Sequence, residues 1–160
     1  MIPADVDMTD LHAQLADDGI AFGTENPVNE PLEKAMRDAL TQAPSGEMDP
    51  TALVVLENTP SHIPDLRDVA QDLLLESDYE TVIVRTPHIA LAVSDSLDRA
   101  AIDKGQRAMV AEPDYPQGVI AFAEAVDTFS IQWAVVAAVL LIGVAAVAGA
   151  TFWATRRRER

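Results

Sequence analysis

The sequence predicts a small mixed α/β sheet flanked by helices and followed by one C-terminal transmembrane helix. Three observations predict it. Apolar runs in the middle of the chain follow a strand, helix, strand, strand order. A run of 28 residues without a charge, Thr128 to Thr155, lies near the end. Charge is divided sharply on either side of that run. The 160 residues suit one domain and a short addition, so the expected division is an acidic soluble domain over 1–127, with an α/β core at about 51–127. A membrane helix over 128–155 and a basic tail over 156–160 complete it.

The elements follow from local chemistry. Residues 7–18 read as a helix that Asp7 or Thr9 caps, with Leu11 and Leu15 on one face and Gly19 as the stop. A loop is expected through Phe22 and Asn26-Pro27. Asn29 then caps a second helix that carries Leu32, Met36, Ala39 and Leu40 on one side, with Pro31 in its first turn. Gln42 to Pro50, rich in Pro, Gly and Ser, reads as a linker. Thr51 to Glu57 (TALVVLE) is an apolar, β-branched run between two prolines and predicts a buried strand. Ser61 to Pro64 opens a helix with Leu66, Val69, Ala70, Leu73 and Leu74 inward.

Thr81 to Thr86 (TVIVRT) and Ile89 to Val93 (IALAV) predict a hairpin around Pro87-His88. Strand, helix, strand implies a right-handed crossover and a partly parallel sheet, with the hairpin partner antiparallel. Ser94 or Asp95 is expected to cap a helix that runs to Ala111. Glu112 to Gly118 reads as a loop, and a last helix starts at Val119 and runs on into the membrane span.

That span exceeds the roughly 20 residues a helix needs to cross ~30 Å of hydrocarbon. Trp133 and Trp153 stand twenty positions apart, about 30 Å along a helix, and are expected at the two headgroup boundaries. Ala134, Ala138, Ala145 and Gly149 share one stripe of small residues, a face suited to packing against another membrane helix. Arg156, Arg157, Arg158 and Arg160 follow, while the residues before the run hold 7 basic and 25 acidic side chains. The positive-inside rule therefore puts the tail in the cytoplasm and the acidic domain outside, in a single-pass arrangement in the cell membrane. Driving four arginines outward against the potential is harder than exporting an acidic domain. Met1 to Asp7 shows neither a basic n-region nor an apolar h-region, so the domain is expected to be exported without a cleaved leader; the rival topology is a tail anchor, with the domain in the cytoplasm.

Composition excludes several function classes. A net charge of -15 argues against nucleic acid as a partner, because phosphates are bound through Lys and Arg. Without cysteine there is no disulfide, thiolate nucleophile or zinc–cysteine site. Phosphate-loop, nucleophile-elbow and zincin motifs are all missing from the sequence.

The strand TALVVLE, the helix DLRDVAQDLLLES, the hairpin ETVIVRTPHIALAVSD with SLDRAAIDKGQRAMV, and the segment EPDYPQGVIAFAEAV together resemble the TPM domain over Thr51 to Val126. That is a small α/β module found mostly outside the cytoplasm and often tethered by one transmembrane helix. The whole chain, from PADVDMTDLHAQLADDGIAFG onward, also resembles a group of actinobacterial single-pass membrane proteins of unknown function. The resemblance implies an auxiliary factor of a larger membrane assembly, or an acid phosphatase or calcium binder. TPM domains usually follow the hairpin with a Gly-rich acidic turn, whereas Val93 to Arg99 here contains no glycine.

Asp95, Asp98 and Asp103, with Asp5, Asp7 or Asp10 as further candidates, form the candidate calcium site, since hard cations want several carboxylate oxygens together. The competing reading is helix capping on a solvated acidic face. His12, His62 and His88 occur singly, although His88 is placed near Asp95 across the hairpin. No catalytic set and no cofactor beyond calcium is expected. The sequence thus points to a non-enzymatic, membrane-anchored accessory or assembly subunit. Its expected partners are the lipid bilayer and a membrane or envelope protein complex such as a respiratory complex. A degenerate TPM-type phosphatase or calcium-binding domain is the alternative.

Overall fold

The computed structural model describes residues 2–43, 50–127 and 141–143. Residues Met1–Phe129 form one compact unit and Ser130–Arg160 a second. In the first, α1 (Met8–Asp18) leads to β1 (Ile20–Phe22) and α2 (Asn29–Gln42). Then come β2 (Thr51–Val55), α3 (Pro64–Leu75), β3 (Thr81–Arg85), β4 (Ala90–Ser94), α4 (Arg99–Ala111) and α5 (Tyr115–Asp127). The strands lie in the order β1-β2-β3-β4. The first two pairings are parallel and the β3–β4 hairpin is antiparallel, so the mixed sheet is as expected.

Strand side chains alternate between two apolar layers. Ile20, Phe22, Leu53, Val55 and Ile83 face α2, α4 and α5 through Met36, Met109, Val119 and Phe122. Ala21, Ala52, Val54, Val82 and Val84 face α1 and α3 through Leu11, Leu15, Leu66, Val69 and Leu73. Both faces are covered, which is why the strands read as continuous apolar runs and not as alternating ones. β1, β2 and β3 step across the sheet in one direction, so two right-handed crossovers would lay α2 and α3 on the same face. They lie on opposite faces, so the two connections have opposite hands and one departs from the usual right-handed rule.

On each free edge of the sheet a glutamine side chain binds outward backbone groups. On β1 the outward groups are those of Ile20 and Phe22. The Asp18 carboxylate accepts from the Ile20 N–H at 3.0 Å. The Gln14 amide accepts from the Phe22 N–H at 2.9 Å and donates to the Phe22 carbonyl at 3.1 Å. On β4, Gln106 of α4 accepts from the Ala92 N–H at 2.9 Å. An unpaired edge is a template for another chain; in this fold side chains occupy the Ile20 N–H, both outward groups of Phe22 and the Ala92 N–H from within.

Several boundaries differ from those the sequence predicts. β1 replaces part of an expected loop; three residues, Ile-Ala-Phe, are too few for a periodicity to register. Asn29 does not cap α2, because its amide is drawn back to the Thr24 carbonyl at 2.6 Å while Asn26 accepts from the Val28 N–H. Ser94 accepts from the Ser96 and Leu97 N–H groups and so shapes the turn before α4, which begins after Asp98. α5 starts at Tyr115, not Val119, because Asp114 accepts from the Gln117 N–H at 2.9 Å and Pro116 fits a first helical turn. Asp7 does cap α1, accepting from Thr9 and Asp10. Gly19 stops it at φ +82°, where an added Cβ would lie 2.8 Å from the Tyr79 hydroxyl.

The C-terminal transmembrane helix of the predicted fold class needs correcting. Among the described residues no helix is long and apolar enough to cross a membrane. α2 is the longest of them at 14 residues, and α5, the most apolar, has 13; both fall short of the roughly 20 that hydrocarbon thickness demands. Of the predicted span only Leu141 to Gly143 is described, as exposed helix. Trp133, Trp153, Ala134, Ala138, Ala145, Gly149, Arg156, Arg157, Arg158 and Arg160 lie outside the described residues, as does the centre of the expected linker.

Replacing Gln14 by Ala should cost about 1–2 kcal/mol in chemical denaturation, because it strands a donor and an acceptor on β1. Tyr79 gives a second test. Its hydroxyl donates to the Leu15 carbonyl at 2.9 Å, and burial first, then the Asp18 carboxylate, raise its pKa above the ordinary 10.0. A raised value means this contribution is complete below pH 10 and is lost as pH rises through the folded value. Tyr79→Phe should lower stability by about 1 kcal/mol at neutral pH and remove this alkaline component from the pH–stability curve.

Candidate functional site

In open α/β sheets, ligands favour the carboxyl ends of parallel strands. In this sheet that edge is made by Gly23 and Thr24 after β1, Leu56 to Asn58 after β2, and Thr86 to His88 after β3. Two concavities open there. One, of about 30 Å³, is lined by Asp5, Thr24, Glu57 and Asn58 among others and has room for one or two waters. The Thr24 hydroxyl, and then the Asn26 amide, hold the Glu57 carboxyl below the usual carboxylate range.

The other concavity is a solvent-open groove of about 450 Å³ between the start of β4 and α4, lined by His88, Ile89, Ala90, Asp103, Gln106, Arg107 and Val110. It offers an imidazole, a carboxylate and a guanidinium beside a half-exposed valine. The Gln106 amide is already engaged by β4. Small-molecule sites usually enclose most of their ligand. A groove this open is suited instead to polar contacts with a side chain or chain segment.

The floor of this edge is held by a residue that neither motif nor periodicity singles out. Arg85 ends β3 almost wholly buried, at 3% exposure. One terminal nitrogen, Nη1, donates to the Thr86 carbonyl at 2.5 Å and the Ile89 carbonyl at 3.3 Å. Nη2 donates to the Glu112 carbonyl at 3.4 Å. Its guanidinium lies 4.9 Å from the centre of the Tyr115 ring. Burial lowers its pKa, and the nearby Tyr115 opposes that shift. One cation thus ties the β3–β4 turn to the α4–α5 connection. Its signal in the sequence is a single charge inside the apolar run TVIVRT.

The predicted acids are placed as follows. Asp95 follows β4, with its N–H donating to the Glu80 carbonyl at 3.0 Å. Asp98 precedes α4 and its side chain makes no capping bond. Both are exposed at the amino edge of β3, whereas Asp103 is exposed in the groove at the opposite edge. His88 and Asp95 stand at opposite ends of β4, so the expected neighbourhood across the hairpin does not form. His88 shares its groove with Asp103. His62 pairs locally with Asp65 at 2.8 Å, and its hydrogen bond lowers the Asp65 pKa. His12 lies on α1, on the other face of the sheet from α4.

Arg85→Met should destabilise the domain by about 2–4 kcal/mol in thermal or chemical unfolding, since three carbonyls lose a charged donor at once. Arg85→Lys should recover little of that, because a point-like ammonium cannot span acceptors that a planar fork reaches.

A family model described as Membrane protein Rv1476 matches residues 1–160. The chain is similar to the Membrane protein Rv1476 of Mycobacterium tuberculosis (strain ATCC 25618 / H37Rv). The two are 29% identical over 160 residues, covering 99% of this chain and 81% of the relative. No solved structure matches it. The expected kinship with an actinobacterial membrane protein family is therefore met, and this chain belongs to the Membrane protein Rv1476 family.

Proposed function

We propose that the protein is a membrane-attached accessory subunit. Its acidic domain faces a cationic surface of a membrane or envelope protein complex, such as a respiratory complex, and performs no catalysis. The observation that carries this reading is the separation of charge. Before the uncharged run there are 25 acidic and only 7 basic residues, and after it four arginines and one glutamate. An excess of this size steers association with positive surfaces. Part of it lies at the amino edge of the sheet. There the Asp95 backbone bonds to Glu80, leaving Asp78, Glu80, Asp95 and Asp98 exposed together.

Membership of a family named for a membrane protein supports attachment to the bilayer, with residues 128–155 as the attaching segment. The arginines then lie on the cytoplasmic side and the acidic domain outside. The TPM resemblance rests on the order of elements and fits the same reading, because such domains act as auxiliary factors.

Affinity purification of the full chain in mild detergent tests the association. A defined membrane protein partner should be recovered at low salt and depleted severalfold near 0.5 M, where charges are screened within a few Å. Combining Glu80→Lys with Asp95→Lys should weaken recovery about tenfold. Recovery of the chain alone at every ionic strength would contradict the reading. Added protease should digest the domain in intact cells; protection until lysis would reverse the proposed orientation.

A further inference from the structure

α1 lies against α3 on the face of the sheet away from the groove, and their buried leucines share one apolar layer. Beside that layer the two helices bring together three groups far apart in sequence. His12 follows the buried Leu11 on α1. Asp72 and Glu76 stand at i, i+4 where α3 ends, on either side of the buried Leu73 and Leu74. One ligand atom from each of His12, Asp72 and Glu76 lies within 4.8 Å of the other two.

Two features of this group are unfavourable without a cation. First, His12 Nε2 is closed off from solvent and has no hydrogen-bond partner. It sits 3.2 Å from Glu76 Oε2, a contact that becomes an ion pair only when the imidazole carries a proton. A buried nitrogen in that state costs about 1–3 kcal/mol. Second, the two carboxylates repel each other at helical i, i+4 spacing. They also occupy the end of the helix where the dipole already disfavours negative charge, and no basic residue lies in the last turn of α3 to offset them.

A divalent cation removes both penalties. Donors on a tetrahedral ion with bonds of 2.0–2.1 Å stand about 3.3–3.4 Å apart, and the His12–Glu76 separation already matches this. Neutral imidazole with two carboxylates gives a charge of -2, which balances M²⁺. One nitrogen and two oxygens favour zinc or another first-row ion over calcium and magnesium, which prefer oxygen alone. We infer that His12, Asp72 and Glu76 form a three-ligand site for a zinc-like transition-metal ion that clamps α1 to α3, with solvent completing the coordination. Among the described residues this imidazole–carboxylate group shares no residue with Asp95, Asp98 and Asp103 or with the four acids named at the amino edge.

The test uses the full chain in detergent, freed of metal by chelation and dialysis. Zn²⁺ should bind at one equivalent and raise Tm, since a ligand of the native state stabilises it. Ca²⁺ at the same concentration should leave Tm unchanged. Co²⁺ should develop a visible d–d absorption that Zn²⁺ abolishes. His12→Gln should weaken Zn²⁺ binding by about 100-fold or more, while Asp95→Asn leaves it intact. A wild-type Tm that does not respond to Zn²⁺, or equal binding by His12→Gln, overturns the site; so does an equal response to Ca²⁺. Should His12→Gln fail to fold, the Co²⁺ spectrum of the wild-type chain decides alone. Its appearance and displacement by Zn²⁺ support the site, and its absence refutes it.

Discussion

A sheet of four strands has no strand to spare: two of its four are edges, and both faces need cover. The fold meets this with helices on each face and with side-chain amides on each edge. The outward N–H and carbonyl of Phe22 end on Gln14, and the outward N–H of Ala92 ends on Gln106. Buried or half-buried backbone groups must be paired, and in so small a domain the partners have to come from the flanking helices. The positions of α1 and α4 are therefore tied to the sheet by polar contacts as well as by apolar packing. Everything later in the structure inherits that constraint. The groove beside β4 exists because Gln106 holds α4 at that edge, and the approach of His12 to α3 follows from α1 being held at the other.

With edges and faces closed, contact with other molecules falls to side chains on the surface. Among the described residues, apart from Arg85, held internally by carbonyls and Tyr115, the charged groups lie at or near solvent, and they are mostly acidic. Like charges spread over a small surface repel one another and cost stability, yet they give the domain a long-range field that a neutral surface lacks. On the proposed function, that field would be directed at a cationic surface of a partner in the same membrane.

How much is legible in the sequence depends on range. β2, α3 and the hairpin are readable because TALVVLE, TVIVRT and IALAV are apolar runs bounded by Pro, and because Leu66, Val69 and Leu73 keep helical spacing. β1 is not, since three residues after a glycine carry no period. The start of α5 hides behind Asp-Tyr-Pro-Gln-Gly, which serves a turn or a capped first helical turn equally well; the Asp114 bond to Gln117 selects the second. Site residues are harder still. Asp95, Asp98 and Asp103 stand out by closeness in sequence, but the fold sends Asp103 to the opposite edge of the sheet. His12 and Glu76 meet across 64 positions, and only the i, i+4 spacing of the two acids is visible in the sequence. Arg85 is visible as an anomaly whose acceptors, all backbone carbonyls, leave no trace in side-chain chemistry.

The dependence of the fold on closed edges is tested most directly by amide hydrogen exchange on the full chain. The Phe22 and Ala92 amides, on the open sides of β1 and β4, should be protected nearly as well as those of Leu53 and Ile83 inside the sheet. Rapid exchange at both edge positions, with the inner strands still protected, would show that the glutamines do not hold the edges and would contradict the dependence of the fold on them.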